Sequence, residues 1–416
     1  MYKIILLLIL FIESIIAQKI LIPMDQTQND HLKAYGIAFY ALNRNINVEW
    51  LLNFQGGSFL LDDHSFIQAE CKIRGVTFLE IGNDLLDIYS TIEQNNMDIV
   101  ILEKAPKIAI YSPPNKQPWD DAVTLALTYA EVDYDILWDE EVFDNTLEKY
   151  DWLHLHHEDF TGQYGKFYRN YHNAPWYIEQ KNKFEDLAKK YDMISVHEEK
   201  KAISRIIKNY ISNGGFLFAM CSATDSYDIA LSLENIDGVH SVFDGTPIDN
   251  DIANKIDYSK TLAFTNFTIF SDPMIYEFSD IDYPPSHNPI TRGAEADYFS
   301  LFEFSAKYDP VPTMLTQNHV PIVKGFMGQT TGFNKNMIKN HVIIMGEDPA
   351  SDQAKYLHGN YGKGTYTFYG GHDPEDYQHF VGDPPTDLSL HRNSPGYRLI
   401  LNNILFPAAR KKEKKT

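Results

Sequence analysis

Cysteine is almost missing from this sequence: its 416 residues hold only Cys71 and Cys221. That excludes a disulfide framework, since at most these two thiols pair with each other. Basic residues are also scarce, with 36 Lys and Arg against 57 Asp and Glu and a formal charge of −21. A nucleic-acid surface needs clustered Lys and Arg, so nucleic acid is excluded as a partner. The one basic run, Arg410-Lys411-Lys412-Glu413-Lys414-Lys415 within residues 410–416, reads as a solvated tail. Long apolar runs are absent beyond the start of the chain, so no membrane span is expected there.

The start itself is different. Lys3 precedes an unbroken apolar run from Ile4 to Ile12, and Ser14-Ile15-Ile16-Ala17 offers a small residue before Gln18. This is the pattern of a secretory signal peptide over residues 1–17, too short to span a bilayer. The mature protein is expected to be exported, to the periplasm or envelope of a Gram-negative bacterium. Aromatic residues make up 13% of the chain, with 26 Tyr and 25 Phe, enough for well-filled cores or a ring-rich ligand surface.

Apolar runs alternate with helical spacings along most of the sequence, which predicts βαβ units and parallel sheets. A first α/β block covers residues 18–104. Within it, strands are expected at Lys19–Met24, Val48–Leu52, Val76–Ile81 and Asp98–Leu102, with a turn at Gln55–Ser58. A second α/β block covers residues 105–409, interrupted by an Asp-, Pro- and Asn-rich insertion at about 237–340 that is a candidate lid. The last helix begins with Ser394 as N-cap and Pro395 in its first turn.

Three stretches carry possible chemistry. Ala219-Met220-Cys221-Ser222-Ala223 ends an apolar strand and is followed by Thr224-Asp225 at a helix start. Small residues two either side of Cys221 suit a nucleophile elbow, and the helix N-terminus would favour a thiolate. A buried core thiol is the other reading. Gly370-Gly371-His372-Asp373-Pro374-Glu375 follows a later strand, so His372 would also lie beyond a strand's carboxyl end. Asp373 or Glu375 would then orient its ring. In His154-Leu155-His156-His157-Glu158-Asp159, the side chains of His154, His156 and Glu158 share one strand face. The run is a plausible metal cluster, but a single run gives poor tetrahedral geometry, so packing or substrate contact is the favoured reading. No metal and no cofactor are assigned. His156, His157, Glu158, Ser222, Asp225 and Trp176 are the candidate substrate contacts, and Trp152, Tyr164 and Tyr168 add rings nearby. Backbone N–H groups near Ser222 and in the loop from His157 to Thr161 are the candidate oxyanion donors.

The elbow at Ala219–Ala223 and the later His372-Asp373-Pro374-Glu375 resemble the class I glutamine-amidotransferase-like superfamily, with one residue inserted between His372 and Pro374. The stretch from Tyr361 to Glu375 is similar to its ThuA-like branch, whose members are linked to sugar metabolism. The resemblance implies a flavodoxin-like fold and a Cys-His pair. The whole chain is also similar to a group of exported bacterial proteins that carry the label asparagine synthetase B. That activity needs a cysteine exposed by Met removal, whereas position 2 is Tyr, and it needs an ATP loop that the sequence lacks. Two expectations follow: a cysteine-dependent hydrolase or amidohydrolase, or a non-catalytic protein that grips a glycan, another small molecule or an envelope component.

Overall fold

The computed structural model describes residues 18–114, 117, 119–282, 298–325, 328–376 and 380–410. The signal-peptide expectation, most of the basic tail and His379 lie outside them. Among the described residues no helix is long and apolar enough to cross a membrane.

The first block holds β1 (Lys19–Ile22), β2 (Val48–Leu52), β3 (Ser58–Asp62), β4 (Leu79–Ile81) and β5 (Asp98–Leu102). They form one sheet in the order β4-β1-β3-β2-β5. Every ladder in it is antiparallel, which corrects the expectation of a parallel sheet. The reason is local. The turn at Asn53–Gly57, with Asn53, Gln55, Gly56 and Gly57 all at positive φ, folds β2 straight back onto β3. Trp50 Nε1 donates to the Gly57 carbonyl at 3.1 Å and fixes that reversal. The expected strands do not include β3, which meets its hairpin partner β2 directly after the turn, so the alternation of strands and helices suggests βαβ where a hairpin stands.

The second sheet contains β6 (Ile108–Tyr111), β7 (Asp135–Leu137), β8 (Trp152–Leu155), β9 (Phe216–Met220), β10 (Tyr298–Leu301), β11 (Ile322–Lys324), β12 (Phe333–Asn334), β13 (Ile343–Glu347), β14 (Gln353–Tyr361) and β15 (Gly364–Tyr369). Its order is β11-β10-β13-β14-β15-β9-β8-β6-β7, with β12 paired to β14. The half from β15 to β7 is parallel, and the half from β14 to β11 is antiparallel. The chain is therefore a mixed α/β protein with a large mixed sheet and helices. The insertion supplies β10, β11 and β12, so it extends the sheet as well as running over it.

Both blocks share one core. The helix His31–Leu42, capped by Asp30 accepting from the Lys33 N–H, packs on the helices Ala122–Ala130 and Pro395–Leu405. Arg398, fully buried on the last helix, reaches back to the Met24 and Gly56 carbonyls at 2.8 and 2.7 Å. A buried guanidinium is tolerable only with its donors satisfied this way. Ser394 caps that last helix by accepting from the Tyr397 N–H.

Candidate functional site

Strands β9 and β15 are parallel neighbours, with Met220 opposite Tyr369. Cys221 and His372 therefore leave the sheet at the same edge, beyond the strands' carboxyl ends. Cys221 is held at φ +50, the left-handed region that an L residue with a side chain adopts only under constraint. Its N–H donates to the Gly371 carbonyl at 3.1 Å, and the helix Ala223–Ser232 starts two residues on. This is the strand-turn-helix geometry of a nucleophile elbow.

The two side chains line one cavity of about 370 Å³. Trp119, Phe167, Tyr171, Tyr276 and Phe380 supply its aromatic walls. Polar groups reach it from Lys166, Glu277, Asp282 and Gln329. Tyr276, Glu277, Asp282, Gly328 and Gln329 belong to the insertion, which thus forms one wall of the cavity. Lys166 is buried, and its Nζ donates to the Phe270 carbonyl at 2.6 Å. Burial pulls this ammonium down to about 8, against the neighbouring Asp159 and Asp272.

The Cys221 thiol is only 6% exposed. Burial pushes it up to about 11, although the backbone N–H groups of Gln329, Ser222 and Thr330 work in the opposite direction. The Gln329 N–H lies 3.4 Å from Sγ. At neutral pH the group is thus a thiol surrounded by amides that would welcome an anion.

His372 is oriented by a residue the sequence reading did not name. Its Nε2 lies 3.4 Å from Asp120 Oδ1. Asp120 Oδ2 accepts from the Thr386 N–H at 3.3 Å, and the Asp120 carbonyl meets His157 Nε2 at 2.6 Å. The expected partners are engaged elsewhere. Glu375 pairs with His391 at 3.1 Å, and Asp373 is buried and accepts from the Glu375 N–H at 2.8 Å. Asp120 precedes a helix 252 positions earlier, and no local spacing links it to His372.

The remaining candidates separate into three places. His157 and Ser222 line the cavity with Cys221 and His372. His156, His157 and Glu158 line a second cavity of about 440 Å³ on the other side of Trp119 and His157. Burial lifts Glu158 there to about 8, against the pull of Lys200. Asp225 and Trp176 reach neither. Asp225 is fully buried and accepts from Thr330 Oγ1 at 2.8 Å, and burial raises it to about 7. Trp176 packs behind the wall, edge-on to Trp119 and Phe167. Two of the candidate oxyanion donors of the 157–161 loop are engaged elsewhere: the Thr161 N–H donates to Asp159 Oδ1 and the Phe160 N–H to Ser226 Oγ. Cys71 and Cys221 are both free thiols and do not pair; Cys71 is buried in the helix Ser65–Arg74.

His154 and His156 do share a face, as period-two alternation requires, and both meet a third residue from another element. His154 Nε2 and His156 Nδ1 lie 3.3 and 3.1 Å from Asp121 Oδ2.

No family model matches the chain, and no curated protein matches it either. Among solved structures it is similar to a cytoplasmic protein from Salmonella typhimurium, at 12% identity and a TM-score of 0.35 over 73% of this chain and 100% of that one. A second cytoplasmic protein from S. typhimurium LT2 gives 12% identity and a TM-score of 0.32 over the same shares, 73% and 100%. A catalytic mutant of Gan42B, a GH42 β-galactosidase from G. stearothermophilus, gives 12% identity and a TM-score of 0.26 over 64% of this chain and 27% of that one. At these scores the likenesses carry no argument about activity.

Proposed function

We propose that the chain is an exported protein of the class I glutamine-amidotransferase-like kind that acts as a cysteine-dependent hydrolase or amidohydrolase. The carrying observation is Cys221 in a left-handed elbow, sharing one cavity with a histidine that a carboxylate orients. The parallel half of the large sheet supports a flavodoxin-like description of the second block. The antiparallel first block does not.

Asp120 on Nε2 fixes the tautomer in which Nδ1 of His372 accepts a proton. Because burial keeps the thiol protonated, its proton leaves as Sγ attacks the substrate carbonyl, with His372 as base. The amides of Ser222, Gln329 and Thr330, which face Sγ, favour the negative charge that builds on sulfur as its proton leaves. The leaving group departs with the proton from His372, and water then releases the acyl group from Sγ. The aromatic walls suit a small organic substrate. A glutamine-hydrolysing synthetase is not the reading, because the sequence lacks its ATP loop.

The same walls favour the second reading, a non-catalytic glycan-binding cavity, since five rings face it and the thiol is almost covered. A panel of aryl esters and amides, tested on the protein and on Cys221→Ala, separates the two. Turnover lost in the variant supports the hydrolase. Absence of turnover in the parent, with glycan binding unchanged in Cys221→Ala, supports the binder.

A further inference from the structure

The second cavity borders a cluster that the hydrolase reading does not use. His154 sits on β8 with no exposed surface, and His156 follows the strand at 1% exposure. His154 Nδ1 lies 3.1 Å from the Phe218 carbonyl. A carbonyl only accepts, so Nδ1 carries the hydrogen and the neutral ring keeps a lone pair on Nε2. That lone pair faces Asp121 Oδ2 at 3.3 Å, and His156 Nδ1 faces the same oxygen at 3.1 Å. Neither ring nitrogen is in a hydrogen bond, and His156 Nε2 has no hydrogen-bond partner either. Unpartnered buried nitrogens aimed at one carboxylate oxygen are costly unless something positive lies between them. Without a metal, His156 can donate from Nδ1 as a neutral ring, but donation from His154 Nε2 as well as Nδ1 makes that ring a fully buried imidazolium. A single dication satisfies all three donors.

We propose that Asp121, His154 and His156 form a binding site for a divalent first-row transition metal, zinc foremost. The spacing fits. Ligands about 2.0–2.1 Å from a tetrahedral metal lie about 3.3 Å from one another. The three residues offer donor atoms within 4.8 Å of each other. Two imidazoles and one carboxylate, with no thiolate, suit zinc, cobalt, iron or manganese rather than calcium or magnesium. The difficulty with a single-run site disappears, because Asp121 enters from the N-cap of the helix Ala122–Ala130. Its other oxygen accepts from the Thr124 N–H at 2.8 Å, which holds the carboxylate in place. Asp121, His156 and Glu158 all line the 440 Å³ cavity, so the remaining coordination positions open towards a space a ligand can enter. A neighbouring triple, His156, His157 and His372, is the weaker candidate, because His157 and His372 each already direct a ring nitrogen at Asp120.

The test is Co²⁺ and Zn²⁺ titration of untagged, EDTA-treated protein, read by visible absorption, bound metal per chain and thermal unfolding. The site predicts one metal per chain, nitrogen- and oxygen-ligated cobalt bands and a melting temperature that rises with Zn²⁺ and falls back with EDTA. Asp121→Asn keeps the helix cap and should weaken Kd at least tenfold, as should His156→Gln, while His391→Gln should leave it unchanged. Absence of stoichiometric uptake overturns the proposal. So does uptake unaffected by both Asp121→Asn and His156→Gln. If a variant fails to fold, the stoichiometry and cobalt bands of the parent still decide.

Discussion

Nε2 of His372 and Oδ1 of Asp120 stand 3.4 Å apart, joining the loop after the last strand to the start of a helix 252 positions earlier. This contact gives the ring an orienting carboxylate after Asp373 and Glu375 are drawn elsewhere. Asp120→Asn preserves the shape and the link to Thr386 but removes the charge. It should lower kcat for a reactive aryl ester by about 10²-fold or more, with a much smaller change in KM. Steady-state kinetics beside Glu375→Gln, expected to be nearly silent, checks the assignment.

The resting thiol should be slow. With burial holding Cys221 up to about 11, its alkylation by iodoacetamide should climb through the alkaline range with no plateau near neutrality. Rate against pH, measured in Cys71→Ser, reads this directly. A plateau below pH 8 would mean a preformed thiolate and no need for His372 as base.

Gly328 tests the packing of the site. A Cβ there would stand 2.8 Å from the Gly371 carbonyl carbon and 2.8 Å from the His372 nitrogen, both backbone atoms that cannot swing aside. Gly328→Ala should push the His372 loop outwards and cost at least tenfold in kcat while the sheet stays folded. Kinetics and circular dichroism on the same sample separate the two effects.

How much of this was legible beforehand follows from range. Cys221 and His372 were readable because each lies at the end of its own apolar strand, with small residues beside it. Asp120 and Asp121 were not, because their meaning comes from strands brought alongside by the parallel register of β6, β8 and β9. The longest strand, β14, was missed since Lys355, His358 and Asn360 break its apolar pattern. In the fold Lys355 and His358 are buried, and His358 Nδ1 is 3.0 Å from Thr367 Oγ1. A helix start is legible where a cap marks it, as at Ser394.

Raising the pH from acid to neutral should destabilise the fold through Asp225. Burial raises this carboxyl from 3.8 to about 7, so the folded state holds its proton where the unfolded state has lost it. The stabilisation is complete below the unfolded value and drains as pH rises through the folded one. The unfolding free energy should fall between about pH 4 and pH 7, by on the order of a few kcal/mol in total, and level off above that. Asp225→Asn should flatten that part of the profile.

Behind the second cavity, Lys200 is fully buried, with Nζ 2.6 Å from Asp139 Oδ2 and 2.9 Å from Tyr111 Oη. Tyr111 also donates to Asp139. Lys200→Met leaves the Asp139 carboxylate without its cation and should cost about 3–5 kcal/mol, read from denaturant unfolding.

The most direct test of the hydrolase reading is intact-mass analysis after mixing the protein with p-nitrophenyl acetate. An acetyl adduct should form, map to Cys221, disappear in Cys221→Ala and form at least tenfold more slowly in His372→Ala. No adduct, or an adduct on another residue that survives Cys221→Ala, would contradict the assignment of Cys221 as nucleophile.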